Sequence, residues 1–166
     1  VETHLVISKA ALLNLSTELD ATKADIEALA DVCHSDRDIG AAIASGSYVV
    51  DGMFIAPCSL RTLAGVAPGV AGSLITRAAD VTLKERRCLV LVTREAPLNL
   101  IHLRNMTTVT EMGGIIFPPV PAFYLGLDSI DAMVDQTVGR VLELVGVATP
   151  LVKRWSGLAG ANEESR

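Results

Sequence analysis

Residues 52–69 read Gly-Met-Phe-Ile-Ala-Pro-Cys-Ser-Leu-Arg-Thr-Leu-Ala-Gly-Val-Ala-Pro-Gly, and their reading decides the fold. Met53-Phe54-Ile55-Ala56 is a short apolar run bounded by Asp51-Gly52 and Pro57, the pattern of a buried parallel strand. Pro57 is expected to end it. Ser59 then stands at an N-cap position ahead of a helical Leu60–Ala67, which Pro68-Gly69 terminates. A strand handing over to a capped helix start gathers free backbone N–H groups, the positive end of a helix dipole and the Ser59 and Thr62 hydroxyls at the carboxyl end of a sheet. That combination suits a phosphate. A second helix, opened by Gly72-Ser73, carries Arg77 and Lys84 seven residues apart and so on one face.

The flanking sequence repeats the alternation. Upstream, Leu5-Val6-Ile7 reads as a strand that Ser8-Lys9-Ala10-Ala11 turns into a helix continuing through Leu19. Asp25–Val32 reads as a second short amphipathic helix with Ile26, Leu29 and Ala30 inward, and Cys33–Ser47 as a surface loop. Downstream, Cys88–Val92 is a strand leading into the charged loop Thr93-Arg94-Glu95-Ala96-Pro97, whose proline suits the opening of a helix over Leu98–Met112. Gly113-Gly114 stops that helix, Ile115-Ile116-Phe117 is the next strand, and a proline-rich loop runs to Tyr124. In the last helix, Asp128–Val145, the residues Ile130, Met133, Val134, Val138, Val141, Leu142 and Val145 follow helical spacing up to Gly146. Strands alternating with helices of this length predict a parallel α/β sheet with right-handed crossovers. Every strand-to-helix junction then falls on one sheet edge, where Ser8, the Pro57–Thr62 turn, Thr93–Pro97 and Pro118–Tyr124 become neighbours and ligands bind.

Composition narrows the function classes. The 166 residues are half hydrophobic, yet no apolar run reaches the length of a membrane span. A formal net charge of −5 without a basic stripe argues against nucleic acid as a partner. Cys33, Cys58 and Cys88 are odd in number and lack a Cys-x-x-Cys pair, which argues for reduced thiols rather than a disulfide framework or a zinc site. No signal-peptide pattern opens the sequence, so a cytoplasmic location is expected. The high apolar content suggests surface buried between subunits.

Several runs, in order and over nearly the whole length, carry a family likeness. They are His-Leu-Val-Ile-Ser-Lys-Ala-Ala (4–11), Ala-Pro-Cys-Ser-Leu-Arg-Thr-Leu-Ala (56–64) and Thr-Arg-Ala-Ala-Asp-Val-Thr-Leu-Lys-Glu-Arg-Arg (76–87). Arg-Glu-Ala-Pro-Leu (94–98), Ile-His-Leu-Arg-Asn-Met (101–106), Pro-Ala-Phe-Tyr (121–124), Val-Gly-Arg-Val-Leu (138–142) and Lys-Arg-Trp (153–155) follow. Together they resemble the flavin prenyltransferase (UbiX) family, which includes the small B subunits of hydroxyarylic acid decarboxylase systems.

The resemblance implies a three-layer, Rossmann-like (flavodoxin-like) open parallel sheet with helices on both faces. It implies one flavin-binding domain over residues 1–150 and a C-terminal tail over 151–166. The family pattern opens with a strand and a Gly-Ala-Ser-Gly turn holding the FMN phosphate, and both are expected to be missing from this chain. It further implies a metal-independent transferase that joins the dimethylallyl group of dimethylallyl phosphate to reduced FMN. The prenylated FMN would serve a partner UbiD-type decarboxylase acting on aromatic or unsaturated acids. A trimer-based homododecamer is implied as well. No Asp-rich magnesium motif is present, in keeping with catalysis without metal.

Carried over by position, Ser8, Ser59, Leu60, Arg61, Thr62 and Arg77 resemble the FMN contacts. Tyr124, Arg140 and Lys84 resemble the group that grips the allylic phosphate and stabilises charge as the C–O bond breaks. Glu95 and Glu18 resemble the acidic residues near the reacting centre, with Glu95 placed to assist proton movement. Trp155 would offer an aromatic face to a developing allyl cation.

Each assignment has an ordinary competitor. Arg77 and Lys84 also fit solvated helix charges, with Asp80 and Lys84 an i, i+4 pair. Ser59 fits a plain N-cap, Tyr124 a packing residue and Arg140 a charge on the polar side of a helix. His102 receives no role, and Cys58, without an evident His partner, reads as a small buried thiol. The competing function is an FMN-binding subunit or decarboxylase-type flavoprotein on the same scaffold without prenyl transfer. The Tyr124–Arg140–Lys84 set favours the transferase, because only an allylic phosphate needs it.

Overall fold

The computed structural model describes residues 1–19, 21–155 and 157. Of the expected C-terminal tail, 151–166, only residues 151–155 and 157 are among the described residues. The chain forms two compact units, Val1–Ile116 and Phe117–Arg166.

In the first unit the strands are β1 (His4–Ile7), β2 (Val32–Ser35), β3 (Gly52–Cys58), β4 (Cys88–Thr93) and β5 (Ile115–Ile116). The helices are α1 (Lys9–Glu18), α2 (Lys23–Glu27), α3 (Leu60–Val66), α4 (Leu74–Lys84) and α5 (Leu100–Glu111). All pairing is parallel, in two sheets of order β1-β2 and β3-β4-β5. The architecture is the expected open α/β type with helices on both sides. Leu89, Val90 and Leu91 show why: they are consecutive and all 0 % exposed. Successive strand side chains point to opposite faces, so β4 must be covered on both. Its neighbours in the main core include Ile55 from β3, Leu63 and Val66 from α3, Ala79 from α4 and Val109 from α5.

Four local expectations change. Val32–Ser35, read as the end of a helix and the start of a loop, is a strand paired with β1 from His4↔Val32 to Ile7↔Ser35. Helix α2 ends at Glu27 instead, which leaves Leu29 exposed rather than inward. Pro57 does not end β3, which runs on to Cys58. The ladder shifts between Ile55 and Cys58, where proline offers no N–H. Helix α5 starts at Leu100, not Leu98, because Asn99 is the better cap: its Oδ1 accepts from His102 N at 2.9 Å, while His102 Nδ1 accepts from Asn99 N at 3.3 Å. His102 therefore has a structural role. Lastly, one continuous sheet was expected. The described strands form two, since β1 bonds only β2 and β3 bonds only β4.

The segment between β2 and β3 is tied to α4 and to the start of β4. The Asp36 carbonyl accepts from Leu74 N at 2.8 Å and its Oδ1 from Ile75 N at 3.1 Å, so Asp36 joins Ser73 in capping α4. Arg87 donates to the carbonyls of Tyr48 and Gly46 at 2.9 and 2.8 Å. No helix among the described residues is long and apolar enough to cross a membrane.

The second unit contains the 3-10 turn Phe123–Leu125 and helix α6 (Ile130–Leu144), which Gly146 ends with φ +81°. Val141 is buried as the periodicity requires, but Ile130, Val134 and Val138 remain exposed. In the first unit Leu100, Ile101 and Leu103 of α5 are exposed too. These are apolar stripes of the kind that the composition assigns to subunit contacts.

Candidate functional site

In the first unit the site is built at the carboxyl ends of the strands. Ser8 caps α1, its Oγ accepting from Ala11 N at 3.1 Å. Ser59 caps α3, accepting from Thr62 N at 3.1 Å, and its Oγ lies 3.0 Å from the Thr62 hydroxyl. Ser59 is extended and its side chain caps α3, so the Ser59 and Thr62 hydroxyls are held together at the end of β3, a strand buried only at Ile55 and Cys58 rather than throughout as the sequence suggested. Leu60 packs against the core beneath, and Arg61 stands exposed without an ion-pair partner among the described residues.

Cys58 is in register with Thr93, so the end of β4 lies beside the Ser59 turn. Thr93 is 2 % exposed, and its Oγ1 is a buried side-chain oxygen for which the described residues supply no hydrogen-bond partner. Buried polar atoms are rarely left so, which marks this edge as one that a further group completes. Glu95 is exposed in the following loop, with Oε1 accepting from Ala96 N at 3.2 Å. Arg94 next to it is exposed and unpaired among the described residues. Arg94 belongs to the run 94–98, but the resemblance attaches no role to it. Its position one residue past a strand end was the signal available.

Three other assigned residues lie elsewhere in this unit. Arg77, in the first half of α4, is half-buried and pairs with Asp80 at 3.2 Å. Lys84 closes α4 just ahead of β4, which places it toward the amino ends of the strands, and it pairs with Glu85. Their common helix face is real, but within one chain Lys84 stands at the opposite edge from Ser59. Glu18 is at the far end of α1, ten residues and about 15 Å along the axis from Ser8. The fold thus brings Ser59, Leu60, Arg61, Thr62 and Glu95 to one edge, and leaves Lys84 and Glu18 away from it.

Cys58 is the inert thiol that the sequence suggested. Burial pushes its pKa up to about 12, and its Sγ lies 3.6 Å from the Ser59 carbonyl. A thiol-disulfide reagent at pH 8 is expected to modify exposed Cys33 in the native protein and Cys58 only after denaturation, as peptide mapping of the labelled cysteines would check.

The second unit holds Tyr124, Arg140 and Trp155. A cavity of about 190 Å³ is lined by Phe117, Val120, Tyr124, Met133, Thr137 and Arg140, among others. Tyr124 is 70 % exposed, too open for a packing residue, and the Trp155 ring meets it edge-on at 6.0 Å between centroids. Arg140 Nη1 lies 2.6 Å from Glu143 Oε2. Here a guanidinium, a phenol and the Thr137 and Gln136 side chains share the lining with Phe117, Val120 and Met133, and the Trp155 indole stands behind Tyr124. Among the described residues no group of three or more His, Cys, Asp or Glu side chains could hold a metal ion.

The Flavoprotein family model matches residues 1–145. The flavin prenyltransferase UbiX of Neisseria meningitidis serogroup B is 54 % identical over 159 residues, 96 % of this chain and 84 % of that protein. UbiX of Escherichia coli K12 is 52 % identical over 159 residues, 95 % of this chain and 84 % of that protein. The crystal structure of AnUbiX (PadA1), in complex with FMN and dimethylallyl pyrophosphate, superposes with a TM-score of 0.92 at 52 % identity, covering 95 % of this chain and 84 % of that one. The dodecameric FMN-dependent UbiX-like decarboxylase of Escherichia coli O157:H7 gives 0.91 at 48 % identity, covering 95 % and 85 %. With half its residues shared over nearly its full length, and a TM-score of 0.92 to a solved UbiX structure, this chain belongs to the UbiX flavin prenyltransferase family.

Proposed function

We propose that this protein is a flavin prenyltransferase that joins the dimethylallyl group of dimethylallyl phosphate to reduced FMN. The observation that carries the reading is the Tyr124–Arg140 pocket with the Trp155 ring beside Tyr124, because its chemistry divides as the donor's does. Arg140 and the Tyr124 hydroxyl offer charge and a donor to a phosphate, and the apolar part of the lining, Phe117, Val120 and Met133, with the Trp155 ring next to Tyr124, suits a five-carbon allyl group. When the allylic C–O bond breaks, the electron pair leaves with the phosphate. A fixed guanidinium stabilises that growing negative charge as a metal ion would.

The strand-end residues fit FMN. Ser8, Ser59 and Thr62 supply hydroxyls, Arg61 and Arg94 supply cations that are unpaired among the described residues, and the buried Thr93 oxygen, to which those residues offer no partner, suits a polar group of the ligand. Bound reduced FMN would supply the nucleophilic ring atoms that accept the prenyl group. Glu95 at the same edge would hold or move a proton there, and Leu60 would give the ring an apolar contact. Arg77, Lys84 and Glu18 retain the roles implied by position only if a neighbouring subunit completes the site or the local ion pairs exchange. We assign the product to a UbiD-type decarboxylase partner, the assembly to a trimer-based dodecamer, the fold to one flavin-binding domain over 1–150, and the location to the cytoplasm.

The test is anaerobic incubation with reduced FMN and dimethylallyl monophosphate, followed by mass measurement of the released flavin. A gain of one C5H8 unit is expected. Tight FMN binding with unchanged flavin mass would instead support the flavoprotein without prenyl transfer.

A further inference from the structure

We propose that Glu143 is a positioning residue for the allylic-phosphate pocket, acting through Arg140 and Arg154. The proposal rests on the reading of Arg140 as the phosphate grip. The two oxygens of Glu143 do separate work: Oε2 accepts from Arg140 Nη1 at 2.6 Å, and Oε1 accepts from Arg154 Nη2. An exposed i, i+3 ion pair on a helix does little. This one differs in burial, since the Glu143 side chain is 15 % exposed, against 48 % for Arg140 and 73 % for Arg154. The carboxylate is the sheltered hub and the guanidiniums are its outward arms. Two cations on one anion leave a surplus positive charge beside the cavity. Only one of the five Arg140 N–H donors is committed to Glu143, so the rest of a fixed planar fork remains for an incoming phosphate.

The same side chain completes a stripe that seats the chain bearing Trp155. Gln136, 8 % exposed, accepts from Lys153 N at 2.7 Å and donates to the Lys153 carbonyl at 3.3 Å. At Gly139 a Cβ would come within 2.7 Å of Val152 Cγ2, so only glycine admits the segment there. Positions 136, 139, 140 and 143 fall on neighbouring helical rows. Glu143–Arg154 is the last tie before Trp155, whose ring borders Tyr124. One carboxylate thereby sets both the cation and the aromatic side of the site.

The test is a double-mutant cycle with Glu143→Ala and Arg140→Ala. Its readout is calorimetric binding of dimethylallyl monophosphate to protein loaded with oxidised FMN, in which no transfer occurs. Glu143→Ala alone is expected to weaken donor binding about tenfold and to leave FMN affinity within about twofold, the loss of one charge-assisted contact. In the Arg140→Ala background the cost should fall to less than about threefold, because the cation it positions is gone and only its tie to Arg154 remains. Equal losses in both backgrounds would mean that Glu143 acts through general stability, and would overturn the proposal. So would unchanged donor affinity in Glu143→Ala. If Arg140→Ala itself leaves donor binding intact, the phosphate-grip reading fails first. Should Glu143→Ala not fold, Glu143→Gln serves, keeping the shape while one oxygen and the charge are lost. An intermediate loss, again smaller without Arg140, is then expected, and an additive loss or none would overturn the proposal.

Discussion

Arg140→Ala should reduce kcat/KM for dimethylallyl monophosphate at least about 100-fold, the usual scale for removing one preorganised donor from a developing oxyanion. FMN affinity should stay within about twofold, since the hydroxyls and cations proposed for FMN lie in the other compact unit. Steady-state kinetics under anaerobic conditions and an FMN titration of the same preparation check the two halves. Arg140→Lys is the sharper comparison. It restores charge but replaces a planar fork with a flexible point donor, so recovery should be partial. Equal loss of FMN binding and prenyl transfer would contradict the role given to Arg140. A full rescue by lysine would reduce that role to bulk charge.

The largest stability effect is expected at Leu91. It is 0 % exposed, lies on the middle strand of the β3-β4-β5 sheet, and belongs to the cluster formed with Leu63, Leu89 and Val109. With strands on both sides and helices on both faces, the site has little freedom to collapse around a truncated side chain. Leu91→Ala should therefore cost about 3 kcal/mol, the transfer of the lost methyl groups plus a residual cavity. For a chain of this length that is a fall in Tm of about 10 °C. Denaturant unfolding should show a lower midpoint with an unchanged slope. A loss below about 1 kcal/mol would mean that the core repacks freely and that β4 is not its centre.

The Ser59 turn was legible in the sequence, and β2 was not. Everything that makes the turn is local: an apolar run before it, a capping hydroxyl, and N–H donors within three residues. Strand β2, in contrast, is Val-Cys-His-Ser with alternating half-buried and exposed positions, right behind a short helix. Nothing in those four residues favours a strand until β1 supplies hydrogen bonds. Cross-strand pairing is a property of two segments. Asn99 is an intermediate case. Its capping box with His102 is local, but the preceding Pro97 offered a competing start, and hydrogen bonding at Asn99 decided the matter.

The same division runs through the site. Sequence alone determined the parallel α/β class, the strand-end turn with Ser59 and Thr62, the inert Cys58 and, through its ordered motifs, the family. Each follows from periodicity, capping or residue order, which are written along the chain. Only the tertiary structure decided that Lys84 stands at the opposite edge from Ser59, that Thr93 keeps a buried oxygen without a partner among the described residues, and that Glu143 reaches both Arg140 and Arg154. A one-dimensional pattern names which residues share a helix face. Which side chains meet, and which buried atoms are left unmet, depends on how the elements pack, through contacts between residues far apart in sequence.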